Sequence, residues 1–223
     1  MRRLLYVPII HSDVDLGSAG LAIAQSSLAL SGERRWALHH ETVRSFWKGV
    51  AAYLCTFDAR LLRVYQDGLA ADGEQGRGVV DQAARRGSEN FRLVRDLVQQ
   101  GAELRKTEDP ALLLREYHEV LGLVRPPSQE EGRDRTGARA QLLEERDRFI
   151  AEAISGTLHE GEVGVLFLGA RHDVTPWLAP DISVMPLKDR SKVQAYIQEL
   201  LLGQDERVLA KLARYLAAPV RVP

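Results

Sequence analysis

The 223-residue chain balances 30 Lys and Arg against 31 Asp and Glu, for a formal charge of −1, and is 45% hydrophobic. That length supports one substantial core, the expectation for a single α/β domain, whereas the even charge lacks the basic excess that nucleic-acid or anionic-membrane binding needs. No apolar run approaches the roughly 18 residues of a membrane span, and Cys55, with no second cysteine to pair with, reads as a packed thiol in a reducing, cytoplasmic setting.

Residues 4–10, Leu-Leu-Tyr-Val-Pro-Ile-Ile, form the first strand, which stops at His11-Ser12-Asp13. Met1-Arg2-Arg3 imitates the start of a signal peptide, but His11, Asp13 and Asp15 interrupt the apolar region too early. Pro8 weakens the strand, because proline cannot donate to a central ladder. Gly17-Ser18-Ala19-Gly20 opens a helix to about residue 30, and Ser31-Gly32 separates it from a second helix over 33–57. Trp36, Val43, Trp47, Val50 and Leu54 recur at helical spacing, and His40 falls on the same stripe, whereas His39 and Glu41 point to solvent. The second helix runs back against the strand that follows, so His40 is expected near that strand's carboxyl end.

That strand, 60–66, ends at Asp67-Gly68, and 72–78 reads as a glycine-rich polar loop. Helices over 79–86 and 88–100 follow, with Ser88 as N-cap and Gly101 as terminator. Residues 102–106 alternate as a strand does. Asp109 is placed to cap a helix opening at Pro110, which leaves Glu108 free for chemistry. The polar stretch 126–137 reads as a mobile loop that either connects or covers. In the helix over 138–158, Arg146 and Asp147 interrupt otherwise apolar stripes; either the two satisfy a structural network or Arg146 faces an anionic ligand.

Residues 163–169 are apolar on both faces, the signature of an interior parallel strand. This strand ends at Gly169, followed by His172 and Asp173. Pro186 places the strand at 181–187 on an edge, Ser191 starts a helix to 202, and 205–218 forms the last helix. Strands alternating with helices give an α/β fold with a mostly parallel central sheet flanked by helices.

Ligands of such sheets bind beyond the carboxyl ends of the strands. That edge collects His11, Asp13, Asp67, Glu108, Gly169, His172 and Asp173, with His40 and Arg146 supplied by helices. Two histidines among carboxylates suit Zn or Mn, with His11 and His172 as ligands. Asp67 or Glu108 would take a proton from metal-bound water, Arg146 would hold an anionic group, and His40, Asp13, Asp173 and Gly169 would contact substrate. The expectation is a metal-dependent hydrolase of a small-molecule or peptide substrate. The alternative is a non-catalytic module that binds a small anion through Arg146 and the helix start at 17–20. Self-association is left open.

Gly169-Ala170-Arg171-His172 at a strand end, preceded by a helix carrying Glu144-Glu145-Arg146-Asp147, resembles the last motif of the TraB/Tiki/GumN group, in the superfamily of erythromycin-esterase-like and ChaN-like proteins. The resemblance covers about the last third of the chain. It implies an α/β fold with a site built from two G-x-x-H segments and, in the Tiki proteins, metal-dependent peptidase activity. Pro8-Ile9-Ile10-His11 departs from that pattern, with proline in place of the first glycine.

Overall fold

The computed structural model describes residues 1–11, 17–122 and 129–221, and among these the side chains outside 17–32, 120–122 and 129–136. The described elements run β1 (Arg2–Ile9), α1 (Gly17–Leu54), β2 (Leu62–Gln66), α2 (Gly73–Arg85), α3 (Glu89–Gln99), β3 (Glu103–Arg105), α4 (Pro110–Gly122), α5 (Gln129–Thr157), β4 (Val163–Gly169), β5 (Ile182–Pro186), α6 (Arg190–Leu202) and α7 (Glu206–Ala217). The five strands form one parallel sheet in the order β3-β2-β4-β1-β5.

Both faces of this sheet are covered, which is why its inner strands read as unbroken apolar runs. Leu5, Val7 and Ile9 of β1 and Val165 and Phe167 of β4 face a core completed by Val43, Phe46, Trp47 and Val50 of α1 and by α3, α6 and α7. Their alternates Leu4, Tyr6, Leu166 and Leu168 face Ile150 and Ile154 of α5 and Leu158 just after it. The single α/β domain is thus a three-layer sandwich whose strand residues divide strictly by parity.

Pro8 is accommodated because β1 addresses its neighbours alternately. Arg2 donates its amide to Asp181 O and Tyr6 O accepts from Leu187 N, so the even residues face β5. The β5 register stops opposite Tyr6, and Pro8 therefore faces a side with no ladder left to join. Pro186 lies on the edge strand, as the sequence indicated. Ser88 caps α3 by accepting from Phe91 N, and Asp109 caps α4 by accepting from Ala111 N at 2.7 Å.

Other local expectations are corrected. Helix α1 runs unbroken through Ser31 and Gly32; one interior glycine costs about 1 kcal/mol relative to alanine, too little to end a helix whose later turns are packed on the sheet. Residues 73–78 open α2 instead of forming a loop. Gly76 is there for close approach, since a Cβ would collide with the Ala71 carbonyl. Residues 129–137 are the first turns of α5, not a loop; a solvated helix is as polar as a loop, so composition does not separate them. Residues 126–128 lie outside the described residues. Asp189, not Ser191, is the N-cap of α6, accepting from Ser191 N at 2.9 Å. Cys55 is exposed, one position beyond Leu54, the last buried residue of α1.

Gly164 tests this packing, because a Cβ there would lie 2.6 Å from Leu4 Cδ1 and 3.1 Å from Leu158 Cδ2, both in buried side chains. Gly164→Ala should lower stability by about 1–3 kcal/mol in urea unfolding with an unchanged m-value; an equally stable variant would contradict the close packing of α5 on β4.

Candidate functional site

The connection leaving β2 runs outward to β3, while the one leaving β4 runs the opposite way, over β1, to β5. Neighbouring strands whose connections diverge leave a crevice at their carboxyl ends, the usual ligand position in open α/β sheets. A cleft of about 740 Å³ opens there, bounded by the strand ends and by α4, α5 and α6.

Asp67 ties the two strand ends together. Its amide donates to Phe167 O at 2.8 Å, its Oδ2 accepts from Gly169 N at 3.0 Å, and its Oδ1 accepts from Arg146 Nη2 at 3.0 Å. A side chain at Gly169 would press on Asp67 Oδ2 at 3.1 Å, so glycine permits this approach. From Gly169 the chain turns sharply, with His172 N donating to Gly169 O at 3.1 Å. The turn is held from outside by Tyr6 Oη on Gly169 O, Gln194 Nε2 on Ala170 O and Arg190 on His172 O. Burial pushes the Tyr6 phenol well above its ordinary value, so the hydroxyl stays a donor.

This turn delivers His172 to the cleft wall as a buried side chain. Its Nδ1 lies 2.5 Å from Asp147 Oδ1, while Asp147 Oδ2 accepts from Asp173 N at 2.9 Å. A carboxylate only accepts, so Nδ1 carries a proton, and in the neutral imidazole Nε2 then presents its lone pair. Nε2 has no hydrogen-bond partner among the described residues.

One turn position earlier on α5, Arg146 points to the other side of the cleft. Its guanidinium is 4% exposed and bonds Glu108 at 2.6 and 3.2 Å, Asp67 at 3.0 Å and Glu116 at 2.8 Å. Burial works against the Arg146 charge, but the hydrogen bonds and charges of Glu108, with those of Asp67 and Glu116, outweigh it and hold the group above its ordinary value. Burial raises the Glu108 carboxyl above the usual range, and Arg146 pulls it the other way.

Of the residues singled out in the sequence, His11, Asp67, Arg146, Gly169 and His172 line this cleft. Glu108 does not; it is fully buried behind Arg146 and serves as its counter-ion. Asp173 is turned away and pairs with Arg190 at 2.9 Å, a hydrogen bond that lowers its pKa. His40 is exposed on α1 and lies outside the cleft lining. Among the described side chains α1 buries Arg35, His39, Thr42, Val43, Phe46, Trp47, Val50 and Leu54, because the helix packs against α3, α6 and α7 as well as the sheet, and this rotates the buried arc away from His40. His39, expected in solvent, is buried with Nδ1 3.1 Å from the Tyr196 hydroxyl. Asp13 lies outside the described residues.

Asp147 is the partner that sequence reasoning did not assign, although its place on the apolar stripe was the available signal. Glu116 and Gln194 carried no signal at all, since exposed polar residues on helices are ordinary.

His11 bears on the expected metal. The Trp47 indole donates to Ile10 O at 3.3 Å and fixes the chain just before it, and His11 Nδ1 is buried with no hydrogen-bond partner among the described residues. His11 and His172 are thus two donors on one cleft. Both Asp67 oxygens are already engaged, and among the described residues no group of three His, Cys, Asp or Glu is arranged to hold an ion. The described ligand set is partial.

No family model matches the chain, and no curated protein and no solved structure matches it.

The Arg146 network makes a pH prediction. Glu108, with its pKa raised in the folded state, favours folding most when protonated and loses that contribution as pH rises. Arg146→Leu should cost about 3–5 kcal/mol near neutral pH by leaving Glu108 unpaired. The deficit should shrink as pH falls and Glu108 takes a proton, and a second substitution, Glu108→Gln, should recover part of it. A pH-independent deficit in urea unfolding would show that Glu108 is not the strained partner.

Proposed function

We propose that the chain is a hydrolase whose general base is His172, oriented by Asp147. The observation that carries this reading is the buried Asp147–His172 pair at 2.5 Å, with the unpartnered Nε2 on the wall of a cleft at the divergence of β2 and β4. Nε2 takes a proton from water as the water oxygen bonds to a substrate carbonyl. Asp147 holds the tautomer and stabilises the imidazolium, and His172 returns the proton to the leaving group as its bond to the carbonyl carbon breaks. The resemblance of Gly169–His172 to the TraB/Tiki/GumN motif supports hydrolysis as the reaction class, with the metal dependence of the second reading below.

A divalent metal, Zn or Mn, is the second reading, favoured by the orphaned His11 Nδ1. His11 Nδ1 and His172 Nε2 would be its protein ligands, and Asp147 would orient His172 as outer partners of metal-bound histidines do. The ion would supply a more acidic bound water. The small-anion module has less support. Arg146 is enclosed by three carboxylates, so an anion approaching it meets a net negative cluster.

Turnover of a panel of activated ester, amide and phosphoester substrates tests the base. His172→Ala and Asp147→Asn should each lower kcat by about 10²–10⁴-fold. Full activity in either variant, or no turnover by the parent, removes the proposed role. Elemental analysis of protein purified without immobilised metal tests the ion separately: His11→Ala should lose bound Zn or Mn that the parent retains, and equal content in both would dismiss it.

A further inference from the structure

The cleft is built from two kinds of surface. Its polar part mixes both signs of charge, with Asp67, Arg171 and His172 at the strand ends and Glu116, Glu119, Arg139 and Arg146 from α4 and α5. Its walls are apolar: Leu113 from α4, Leu142 and Leu143 from α5, and Ile197, Leu201 and Leu202 from α6. Leu202 is 81% exposed and Leu201 39%, both in the last turn of α6. Large apolar side chains gathered at a cleft mouth mark a surface that gains by being covered.

From this we infer that the substrate is a neutral carboxylic ester with an unbranched acyl chain of medium length, its carbonyl at His172 and its chain lying between α5 and α6. The inference rests on the hydrolytic reading of His172. Three features select this class. The apolar side chains and His172 line one cleft, so a chain attached to the reacting carbonyl can lie against them. The cleft volume falls in the range of drug-sized ligands, well beyond an acetyl group. The charged lining sets Asp67, Glu116 and Glu119 against Arg139, Arg146 and Arg171, so it balances itself and matches a ligand without net charge. In the reaction, water oxygen bonds to the acyl carbon, the ester C–O bond breaks, and the proton carried by His172 leaves on the alcohol.

The experiment measures kcat/KM for p-nitrophenyl acetate, butyrate, hexanoate and octanoate, and in parallel the affinity of acetamide and octanamide by calorimetry, for the parent and for Leu201→Asn. Leu201 is partly exposed, so its substitution leaves the core intact. The expected result is a kcat/KM that rises roughly two- to four-fold per added methylene, with a flatter dependence in L201N. Turnover that is flat or falls with chain length overturns the acyl assignment and leaves the hydrolase standing. Absence of turnover, with octanamide binding more tightly than acetamide and more weakly in L201N, removes the hydrolase and keeps the apolar-chain site. Neither turnover nor length-dependent binding overturns both.

Discussion

Arg146 is the charge on which the carboxyl edge of the sheet is assembled. A guanidinium buried to this degree must be paired, and it collects its partners from three separate stretches: Asp67 after β2, Glu108 after β3 and Glu116 on α4. Each partner brings its own segment to a fixed place. Asp67 in turn accepts from Gly169 N, so the end of β4 is referred back through one carboxylate to the same arginine. The network does little for net stability compared with a hydrophobic replacement, given what it costs to strip water from Arg146 and Glu108. Its contribution is register: with Arg146 in place, the strand ends have one arrangement.

Arg146 and Asp147 are consecutive on α5 and so point about 100° apart. One reaches the ends of β2 and β3, the other the turn that carries His172. A single helical turn of α5 therefore sets both halves of the cleft, and its orientation is held by Ile150, Ile154 and Leu158 packed on the underside of the sheet. The apolar stripe fixes the helix, and the two polar interruptions in that stripe direct the site. The same side chain that would be a packing defect in an ordinary amphipathic helix is here the point at which packing meets chemistry.

The strand ends were legible because they depend on local pattern. The run Val163 to Leu168 is apolar on both faces, and only an interior parallel strand buries both, so its position and its exit towards His172 followed from six residues. The same logic located Asp67 and, through Pro186, the sheet edge. His40 shows where such reasoning fails. Its helical spacing was correct, but a stripe read from one helix assumes one packing partner, and α1 packs on three helices as well as the sheet. The glycine-rich segment at 72–78 failed for a related reason: Gly76 serves close packing against Ala71, and composition does not tell that use from flexibility.

The amino-acid sequence by itself determined the parallel α/β class, the strands that end at Asp67 and His172, and the burial of Arg146 and Asp147, because hydrophobic periodicity and capping act over a few residues. Tertiary structure alone decided the rest. The strand order β3-β2-β4-β1-β5 placed the ends of β2 and β4 side by side, at the point where their connections diverge. It also decided that Glu108 serves Arg146 and that Asp147 serves His172, 25 residues away. A charge buried by its helix takes whatever partner the fold brings within about 3 Å, and that distance is fixed by how helices cross a twisted sheet, which no local pattern encodes.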